Sequence, residues 1–545
     1  MKATEVFARK SSGLVRVMSP YSAFAYNVLN IGVIFPWVYL LTLGLWPDAN
    51  IPVGILITGV FTALLGLVYS GVASAMPRTG GDYVFQSRTL KPWLGFAIVA
   101  TMIVTFFLIW QTLGGYLVAI LGLAPLFTGL GLTMQNPTFL GWGVWFTTPM
   151  GIWLTTVVAS TIAAAILIKS FKWFVVAQWA MWYGFLLSFL VMVGYFLITP
   201  TSVFITRFNN AMSVMANNGL ATSSPDFYHS IITQATANGF VQVTPTSLIP
   251  ISTLFVLPIA LTSLGWVGYA QEQAGEIQGA HILKNQMFIN VIGCLFSAAL
   301  MMVLAYAVVS SVGQGWLAAA AYGNYITGTV AMPIPPWFSD LAVILTDNPI
   351  IVFLMIIGIF LNAIQVVFNV IIGWTRVAVA MSIDGALPKF VSSVNERTHT
   401  PVVAHVIFLV LGGILMSYVY NFVPGFVGYT LSVTAVATIM YIGTALGGAI
   451  FPWSRKEVYE TSPIARYKVG NVPLITICGV IAAAFSAWML YYYLTIPGLG
   501  IASIPSEAVI SGIFVFWVGF FFLRKWYLKR RGIDLDLAYK EVPPI

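Results

Sequence analysis

Long uninterrupted apolar runs constrain this 545-residue chain more than any other feature. The run LGFAIVATMIVTFFLIW, over 94–110, is typical of them. A helix crosses the hydrocarbon core of a membrane with about 20 apolar residues, whereas the strands of an outer-membrane barrel alternate apolar and polar residues over about 10 positions. Since 59% of the residues are apolar and 7% are charged, the chain is predicted to be an all-α polytopic membrane protein, and an ordinary soluble protein is excluded.

The apolar runs, bounded by charged residues, glycine and proline, predict twelve transmembrane helices. We place them at 22–46, 52–76, 93–123, 150–168, 173–198, 248–274, 287–312, 350–376, 401–422, 425–450, 473–496 and 503–523. The segments outside the spans include a cytoplasmic N-terminal segment (1–21), a cytoplasmic loop (77–92), a long extracellular loop (199–247), a second outer loop (313–349) and a cytoplasmic basic tail (524–545). The amphipathic stretch WFSDLAVILTDN in the second outer loop is expected to lie on the membrane surface.

The distribution of Lys and Arg predicts the orientation of the chain. Of its 24 Lys and Arg residues, 23 fall on segments of one side, and Arg207 is the exception. Because loops rich in Lys and Arg stay in the cytoplasm, both termini are predicted to be cytoplasmic, in a multi-pass protein of the plasma membrane. The net charge of +8 is then an orientation signal. It indicates a lipid bilayer as the partner of the chain, and no nucleic acid.

Two of the predicted spans are interrupted by glycine and proline. The first reads FAYNVLNIGVIFPWVYLL around Gly32, and the sixth reads VLPIALTSLGWVGYAQEQAGE around Gly265. Irregular backbone inside a membrane is tolerated only where protein or a watery cavity supplies hydrogen-bond partners. The two glycines stand apart by roughly half of the stretch 22–450. Interrupted segments at corresponding positions of two halves point to the binding site of a transporter.

The interruptions give a set of candidate substrate-binding residues. Free backbone N–H groups around Ile31, Gly32 and Val33 suit a carboxylate, and free carbonyls near Ser263, Leu264 and Gly265 suit an ammonium group. Each glycine taken alone is also typical of close helix packing. Gly268, at the second interruption, also belongs to the predicted site. Polar and aromatic side chains complete it: Asn27, Asn30, Trp110, Gln111, Trp266, Asn362, Gln365 and Thr434.

Glu272 and Arg376 are the candidates for proton coupling or gating. An ionisable residue within a membrane span is a functional hypothesis by default. Glu272 follows Leu248 by about 36 Å of helix, beyond a hydrocarbon core of about 30 Å, so we expect it in the cytoplasmic vestibule. Two interpretations stay open: a solvated glutamate at the interface, or a proton acceptor that pairs with Arg376 or Arg88.

Three segments resemble the amino acid, polyamine and organocation transporter superfamily, and an amino acid permease in particular. They are PRTGGDYVFQSRTLKPWLGF, SLGWVGYAQEQAGEI and RVAVAMSIDGALPKFVSSVNERTHTPVVAH. The resemblance implies a LeuT-type fold: two inverted five-helix repeats, 22–198 and 248–450, followed by two additional helices in 451–523. It also implies that the substrate lies between spans 1, 3, 6, 8 and 10.

The chain departs from that family at two places. Asn30, Ile31 and Gly32 stand where many members have Gly-Ser-Gly, so the close backbone approach to a carboxylate is half preserved. Some proton-coupled members carry a Lys in span 5, and 173–198 has none. The coupling ion is therefore left open between H⁺ and Na⁺.

These observations predict a secondary transporter that moves a small zwitterionic, neutral amino acid by alternating access. No acid or base lies near the middle of the membrane, so a substrate with a net charge would lack a fixed counter-ion. The chain carries four His and no metal-binding motif, which argues against an enzyme, and no cofactor is expected. The alternatives are a carrier of an organic cation or nucleobase, and an amino acid exchanger without ion coupling.

Overall fold

The computed structural model describes residues 13–35, 37–243, 247, 249–426, 433–496, 498–499 and 504–542, with Trp37 and Tyr39 described by their backbone alone. These residues are mostly helical. The only sheet among them is a two-stranded hairpin of β1 (Lys468–Val469) and β2 (Val472–Pro473). The predicted all-α architecture is confirmed.

Helices account for both the membrane spans and the segments between them. In chain order they are α1 (Pro20–Ile31), α2 (Trp37–Leu45), α3 (Ile51–Ala75), α4 (Gly81–Thr89), α5 (Pro92–Thr133), α6 (Pro137–Trp145), α7 (Pro149–Lys169), α8 (Phe171–Ile198), α9 (Thr201–Asn217), α10 (Phe227–Ala237), α11 (Ile251–Glu272), α12 (Leu283–Val312), α13 (Gln314–Ala320), α14 (Phe338–Val343), α15 (Pro349–Ile383), α16 (Val402–Phe422), α17 (Val433–Ser454), α18 (Lys456–Glu460), α19 (Leu474–Thr495), α20 (Ile504–Arg530) and α21 (Leu535–Lys540).

Eleven helices of the described chain are long and apolar enough to cross a membrane. They are α3, α5, α7, α8, α11, α12, α15, α16, α17, α19 and α20. Each lies over one of the predicted spans. The remaining predicted span, 22–46, is divided into the shorter helices α1 and α2. The start of predicted span 425–450 includes residues 427–432, which are outside the described residues.

Local sequence explains where several spans begin. Asn50, Asn348 and Thr148 each stand before a helix, and each side chain accepts a hydrogen bond from a backbone N–H of the first turn. A proline occupies one of the first two helical positions in all three. An N-terminal amide or hydroxyl cap followed by proline satisfies the unpaired N–H groups of a helix start, so these boundaries are encoded locally.

The segments on one face of the molecule form a folded cap. Helices α9 and α10 pack against α13 through aromatic side chains. The Tyr228 and Trp316 rings are stacked with centroids 5.2 Å apart, and the Phe208 and Trp316 rings meet edge to face with centroids 5.0 Å apart. Helix α14 comes from the stretch expected on the membrane surface, and all six of its residues are buried. That expectation is wrong, because both sides of this short helix are covered by neighbouring protein.

The opposite face carries the segments rich in Lys and Arg, and we call it the basic face. Arg88 of α4 forms a buried ion pair with Asp384 at 2.6 Å, and the backbone N–H of Met18 donates to the carbonyl of Glu276 at 3.1 Å. The Tyr539 hydroxyl of α21 lies 3.0 Å from that of Tyr83. The segment before α1, the segment before α5, the end of α15 and the C-terminal α21 therefore form one connected layer.

Candidate functional site

The first interrupted span is unwound at Gly32. This residue ends α1 in the left-handed conformation, with φ 83°, and the Phe35 N–H donates to the Gly32 carbonyl at 2.9 Å. A Cβ at Gly32 would overlap the Phe35 ring, so the turn requires glycine in both conformation and space. The N–H groups of Val33 and Ile34 have no acceptor among the described residues. Two backbone donors are thus available beside the break.

Amide side chains of α15 hold the end of α1. The Asn362 amide nitrogen donates to the Leu29 carbonyl at 2.9 Å, which satisfies one of the carbonyls left free where α1 ends. Gln365 donates to the Asn369 side chain at 2.8 Å, and Asn369 donates to the Asn30 side chain at 2.9 Å. These amides of α15 therefore support the broken helix. Predicted residues Asn30, Asn362 and Gln365 are brought together by these hydrogen bonds.

The second interruption lies within α11. This span is α-helical over Val256–Leu264 and continues as a tighter 3₁₀ helix over Gly265–Glu272, with a non-helical ψ of 18° at Trp266. Asn27 of α1 holds this stretch. Its amide nitrogen donates to the Val267 carbonyl at 2.8 Å, and its amide oxygen accepts from the Ala270 N–H at 3.3 Å. Asn27 thus joins the two interrupted spans through the backbone of the second.

Two glycines allow aromatic side chains to lie against the second interruption. A Cβ at Gly265 would overlap the Tyr441 ring, and a Cβ at Gly268 would overlap the Tyr69 ring. The buried Ser263 hydroxyl, just before Gly265, has no hydrogen-bond partner among the described residues. The conformation of Gly265 itself is ordinary, with φ −59°. Both glycines therefore serve close packing, while one polar group remains available at the end of the α-helical part.

A small chamber lies between the two interruptions. Its volume is about 20 Å³, which is the space of about one water molecule. The Trp110 and Trp266 rings both line it and pack against each other in a tilted arrangement, with centroids 4.8 Å apart. The chamber is lined by Asn30, Phe35, Phe107, Trp110, Leu113, Trp266, Tyr269, Val366 and Val370. None of these side chains is charged, and six are aromatic or amide groups suited to packing on or binding a small dipolar solute.

The other predicted binding residues are not part of the lining of this chamber. Ile31, Val33 and Leu264 are buried in the core. The Gln111 amide points to α7, where it donates to the Ser160 hydroxyl at 2.8 Å. Thr434 is the second residue of α17, and its carbonyl accepts from the Thr438 hydroxyl at 2.8 Å.

Several lining residues were missed by the sequence analysis. Phe107 and Tyr269 lie one helical turn from Trp110 and Trp266, and their ring centroids are 6.1 Å apart. This spacing, applied to the two predicted tryptophans, would have found both. Phe35 is brought in by the tight turn at Gly32, and no spacing rule signals it. Val366 and Val370 are ordinary apolar residues of a membrane span.

The predicted charged residues are paired differently from the expectation. Arg376 is fully buried and binds Glu276 through two hydrogen bonds, of 2.8 Å and 3.0 Å. Arg88 pairs with Asp384. The predicted pairing of Glu272 with either arginine is therefore wrong. Glu272 is 1% exposed, so its placement in a solvated vestibule is wrong as well, because α4 packs over this end of α11.

Glu272 instead meets another acid, Asp82, which the sequence analysis did not select. The Asp82 N–H donates to a Glu272 carboxylate oxygen at 3.4 Å, and the Tyr69 hydroxyl donates to the Asp82 carboxylate at 2.7 Å. Thr444 of α17 donates to the same Asp82 oxygen. Burial raises the pKa of Asp82 above its ordinary value, while hydrogen bonds from Thr444 and Tyr69 lower it. Among the described residues, no three His, Cys, Asp or Glu side chains cluster so as to hold a metal ion.

The structure has an interrupted first span, a second interruption opposite it and an uncharged chamber between them. A comparison with protein families identifies the family of the chain. The sequence model described as Amino acid permease matches residues 23–523. The chain belongs to the amino acid permease family. A comparison with curated proteins found no match. Membership of this family, together with the apolar helices, supports a multi-pass membrane transporter, and the family points to transport rather than to an enzyme.

Proposed function

We propose that this permease is a secondary transporter of zwitterionic, neutral amino acids that works by alternating access. One observation carries the proposal: the uncharged aromatic chamber lies directly beside the unwound turn at Gly32. The N–H groups of Val33 and Ile34 supply donors for a carboxylate. The buried Ser263 hydroxyl, which has no hydrogen-bond partner among the described residues, supplies an acceptor for an ammonium group. The substrate's own charges cancel, so the chamber needs no fixed counter-ion.

The chamber of about 20 Å³ corresponds to a closed conformation of the transport cycle. A bound amino acid requires more space, so Trp110 and Trp266 must separate as the substrate arrives. Trp110 lies on α5 and Trp266 lies on α11, so a relative movement of these two spans opens the chamber. Exchange between such conformations on either side of a fixed site is the basis of alternating access.

The proposed alternating-access mechanism also accounts for the organisation of the chain. We propose that 22–198 and 248–450 are two inverted five-helix repeats, each with its first span interrupted, at Gly32 and Gly265. The basic face is the cytoplasmic face, because Lys and Arg are retained there. Arg376 and Glu276 form the gate of this face, since their buried ion pair links α15 to the segment just after α11.

Uptake and exchange of labelled amino acids in proteoliposomes test the proposal. Purified protein is preloaded with an unlabelled neutral amino acid, and counterflow of the labelled compound is measured against excess neutral, cationic and anionic amino acids, a nucleobase and an organic amine. We expect neutral amino acids to compete. Competition by the nucleobase or the amine, with none by any amino acid, would contradict the proposed substrate class.

A matched pair of glycine variants tests the place of binding. Gly32→Ala is expected to abolish competition by neutral amino acids, because the added Cβ overlaps Phe35 and φ is 83°. Gly219→Ala is the control: it also has a positive φ, of 72°, but no neighbour within 4 Å. Unchanged affinity in Gly32→Ala would remove the site from this turn.

A further inference from the structure

The buried acids Asp82 and Glu272, which we call the acid pair, form a feature that substrate binding does not explain. Asp82 is 3% exposed and Glu272 is 1% exposed. The two residues are in direct contact, because the Asp82 N–H donates to a Glu272 carboxylate oxygen at 3.4 Å. The second carboxylate oxygen of Glu272 receives no hydrogen bond from any donor among the described residues. An ionised carboxylate buried in this way is costly unless it is neutralised.

No cation of the described chain neutralises the acid pair. Arg376 is bound to Glu276, and Arg88 is bound to Asp384. Neither member of the acid pair forms an ion pair with a Lys, Arg or His in the described part of the chain. Two carboxylates that share a buried site cannot both ionise without strong mutual repulsion. One proton held between them removes that repulsion, and the pair then titrates as a unit.

The surroundings of the acid pair are rich in hydroxyl groups and poor in charge. The elements packed against the acid pair contribute these titratable and charged groups: Tyr26 of α1, Tyr69 of α3, Tyr269 of α11 and Tyr441 of α17. The Arg376–Glu276 ion pair lies beyond Tyr26. The buried Tyr441 hydroxyl has no hydrogen-bond partner among the described residues. Tyrosine hydroxyls stay neutral at ordinary pH, so the acid pair is the site here that changes its charge.

The acid pair also joins the two elements that must separate to open the basic face. The Gly80 N–H donates to the Glu272 carbonyl at 2.8 Å, and Thr79 pairs with Gln273 through a backbone bridge. Thr444 and Tyr69 bring α17 and α3 to the same carboxylate. Glu272 stands six residues after Trp266, which in a 3₁₀ helix is about 12 Å from the chamber. A change at the acid pair is therefore transmitted to the chamber along α11.

We propose that the acid pair is the proton-binding site of this permease, and that proton coupling is exerted there. The inference rests on the proposed function. One proton enters with the amino acid and bridges the two carboxyl groups, which keeps α4 against α11. Its release to the basic face leaves two carboxylates. Their repulsion separates α4 from α11 and opens the path from the chamber. The balance is one proton taken up and one released per cycle, with no covalent change.

Amino acid accumulation driven by a pH gradient, measured in proteoliposomes, tests this site. The wild-type protein is expected to accumulate labelled neutral amino acid when the outside is acidic. Asp82→Asn and Glu272→Gln are each expected to lose this accumulation while counterflow at equal pH remains detectable. Asp340→Asn is the matched control, because Asp340 is also buried, at 2% exposed, but lies on α14 at the opposite face. It is expected to accumulate substrate like the wild type.

The outcomes separate this inference from the proposed function. Wild-type counterflow without any response to the pH gradient would overturn the proton site and leave the transporter intact. Accumulation by Asp82→Asn and Glu272→Gln at the wild-type level would overturn it too. Absence of any amino acid counterflow in the wild type would instead contradict the proposed function.

Conservative variants cover the case in which the amide variants do not fold. Glu272→Asp and Asp82→Glu keep a carboxyl group and change its reach. They are expected to accumulate substrate with a shifted pH midpoint. An unshifted midpoint in both variants would overturn the inference.

Discussion

The side-chain amides of asparagine residues stabilise the interrupted spans by forming hydrogen bonds with their backbone. Asn27 serves the backbone of α11 at Val267 and Ala270, and Asn362 serves the free carbonyl of Leu29. Backbone N–H and C=O groups inside the membrane need such partners, because no water is present there to form hydrogen bonds with them. The sequence analysis treated these amides as ligands for the substrate. In the structure, their hydrogen bonds go to the protein's own backbone.

Removal of the Asn362 amide is predicted to weaken the fold at the first interruption. Asn362→Ala leaves the buried Leu29 carbonyl without its donor, which costs about 1–3 kcal/mol of unfolding free energy. Thermal unfolding in detergent measures the loss. Asn218 is the control, because its amide also donates to a backbone carbonyl, that of Val214, but at an exposed position. Asn218→Ala is expected to change stability by about 0.5 kcal/mol or less, and an equal loss in both variants would contradict the assignment.

At the scale of elements, α4 holds several parts of the basic face together, and the hydropathy of the sequence gives no sign of this. It carries Asp82 toward α11 and Arg88 toward Asp384, and Arg88 also donates to backbone carbonyls of the C-terminal residues Ala538 and Glu541. The sequence analysis took this segment for a loop between two spans. A short helix with buried polar side chains has no hydropathy signal, because its burial depends on elements distant in sequence.

The ion pair of α4 is predicted to be essential for stability. Arg88→Ala removes the guanidinium group that pairs with the buried Asp384, and breaking a buried ion pair in this way costs about 3–5 kcal/mol. Lys456 and Glu460 form the matched exposed pair, 3.8 Å apart with side chains 72% and 60% exposed. Lys456→Ala is expected to cost about 0–1 kcal/mol. Thermal unfolding of both variants checks the contrast, and a loss in Lys456→Ala as large as that in Arg88→Ala would contradict it.

Helix α14 is predicted to make stability depend on pH. Burial raises the pKa of Asp340 well above its ordinary value, so the folded protein favours the protonated carboxyl. The associated stability is fully present below the unfolded pKa of about 3.9 and is lost as the pH rises through the folded pKa. Asp340→Asn removes this dependence, and its unfolding temperature should fall less than that of the wild type as the pH rises. Parallel curves for the two proteins would contradict the prediction.

At the scale of the whole molecule, the sequence predicted the spans and the place of the first interruption, but not what covers their ends. Apolar runs and the Gly32 turn are local properties, and each predicted span is matched by described helices. The depth of Glu272 was estimated from helix length alone. That estimate puts the residue beyond the hydrocarbon core, yet α4 buries it. Burial at a span end comes from tertiary packing, which hydropathy cannot report.

The orientation of the molecule is a further prediction at this scale. Cysteine placed at Glu460 on the basic face should react with a membrane-impermeant maleimide only after cells are opened, because Lys and Arg retain this face in the cytoplasm. Cysteine at Asp347, whose side chain is 90% exposed on the opposite face, should react in intact cells. The native Cys294 and Cys478 are buried and give a low background. The reverse pattern of labelling would invert the topology.

The paired indoles of the closed chamber give the transport cycle an optical signal of its own. Trp110 and Trp266 lie in an apolar enclosure with their centroids 4.8 Å apart. Their separation would admit solvent or solute and so change their fluorescence. The difference in emission between the wild type and Trp266→Phe would isolate this pair from the other tryptophans. Each conformational turnover could then be followed in real time, without attaching a dye.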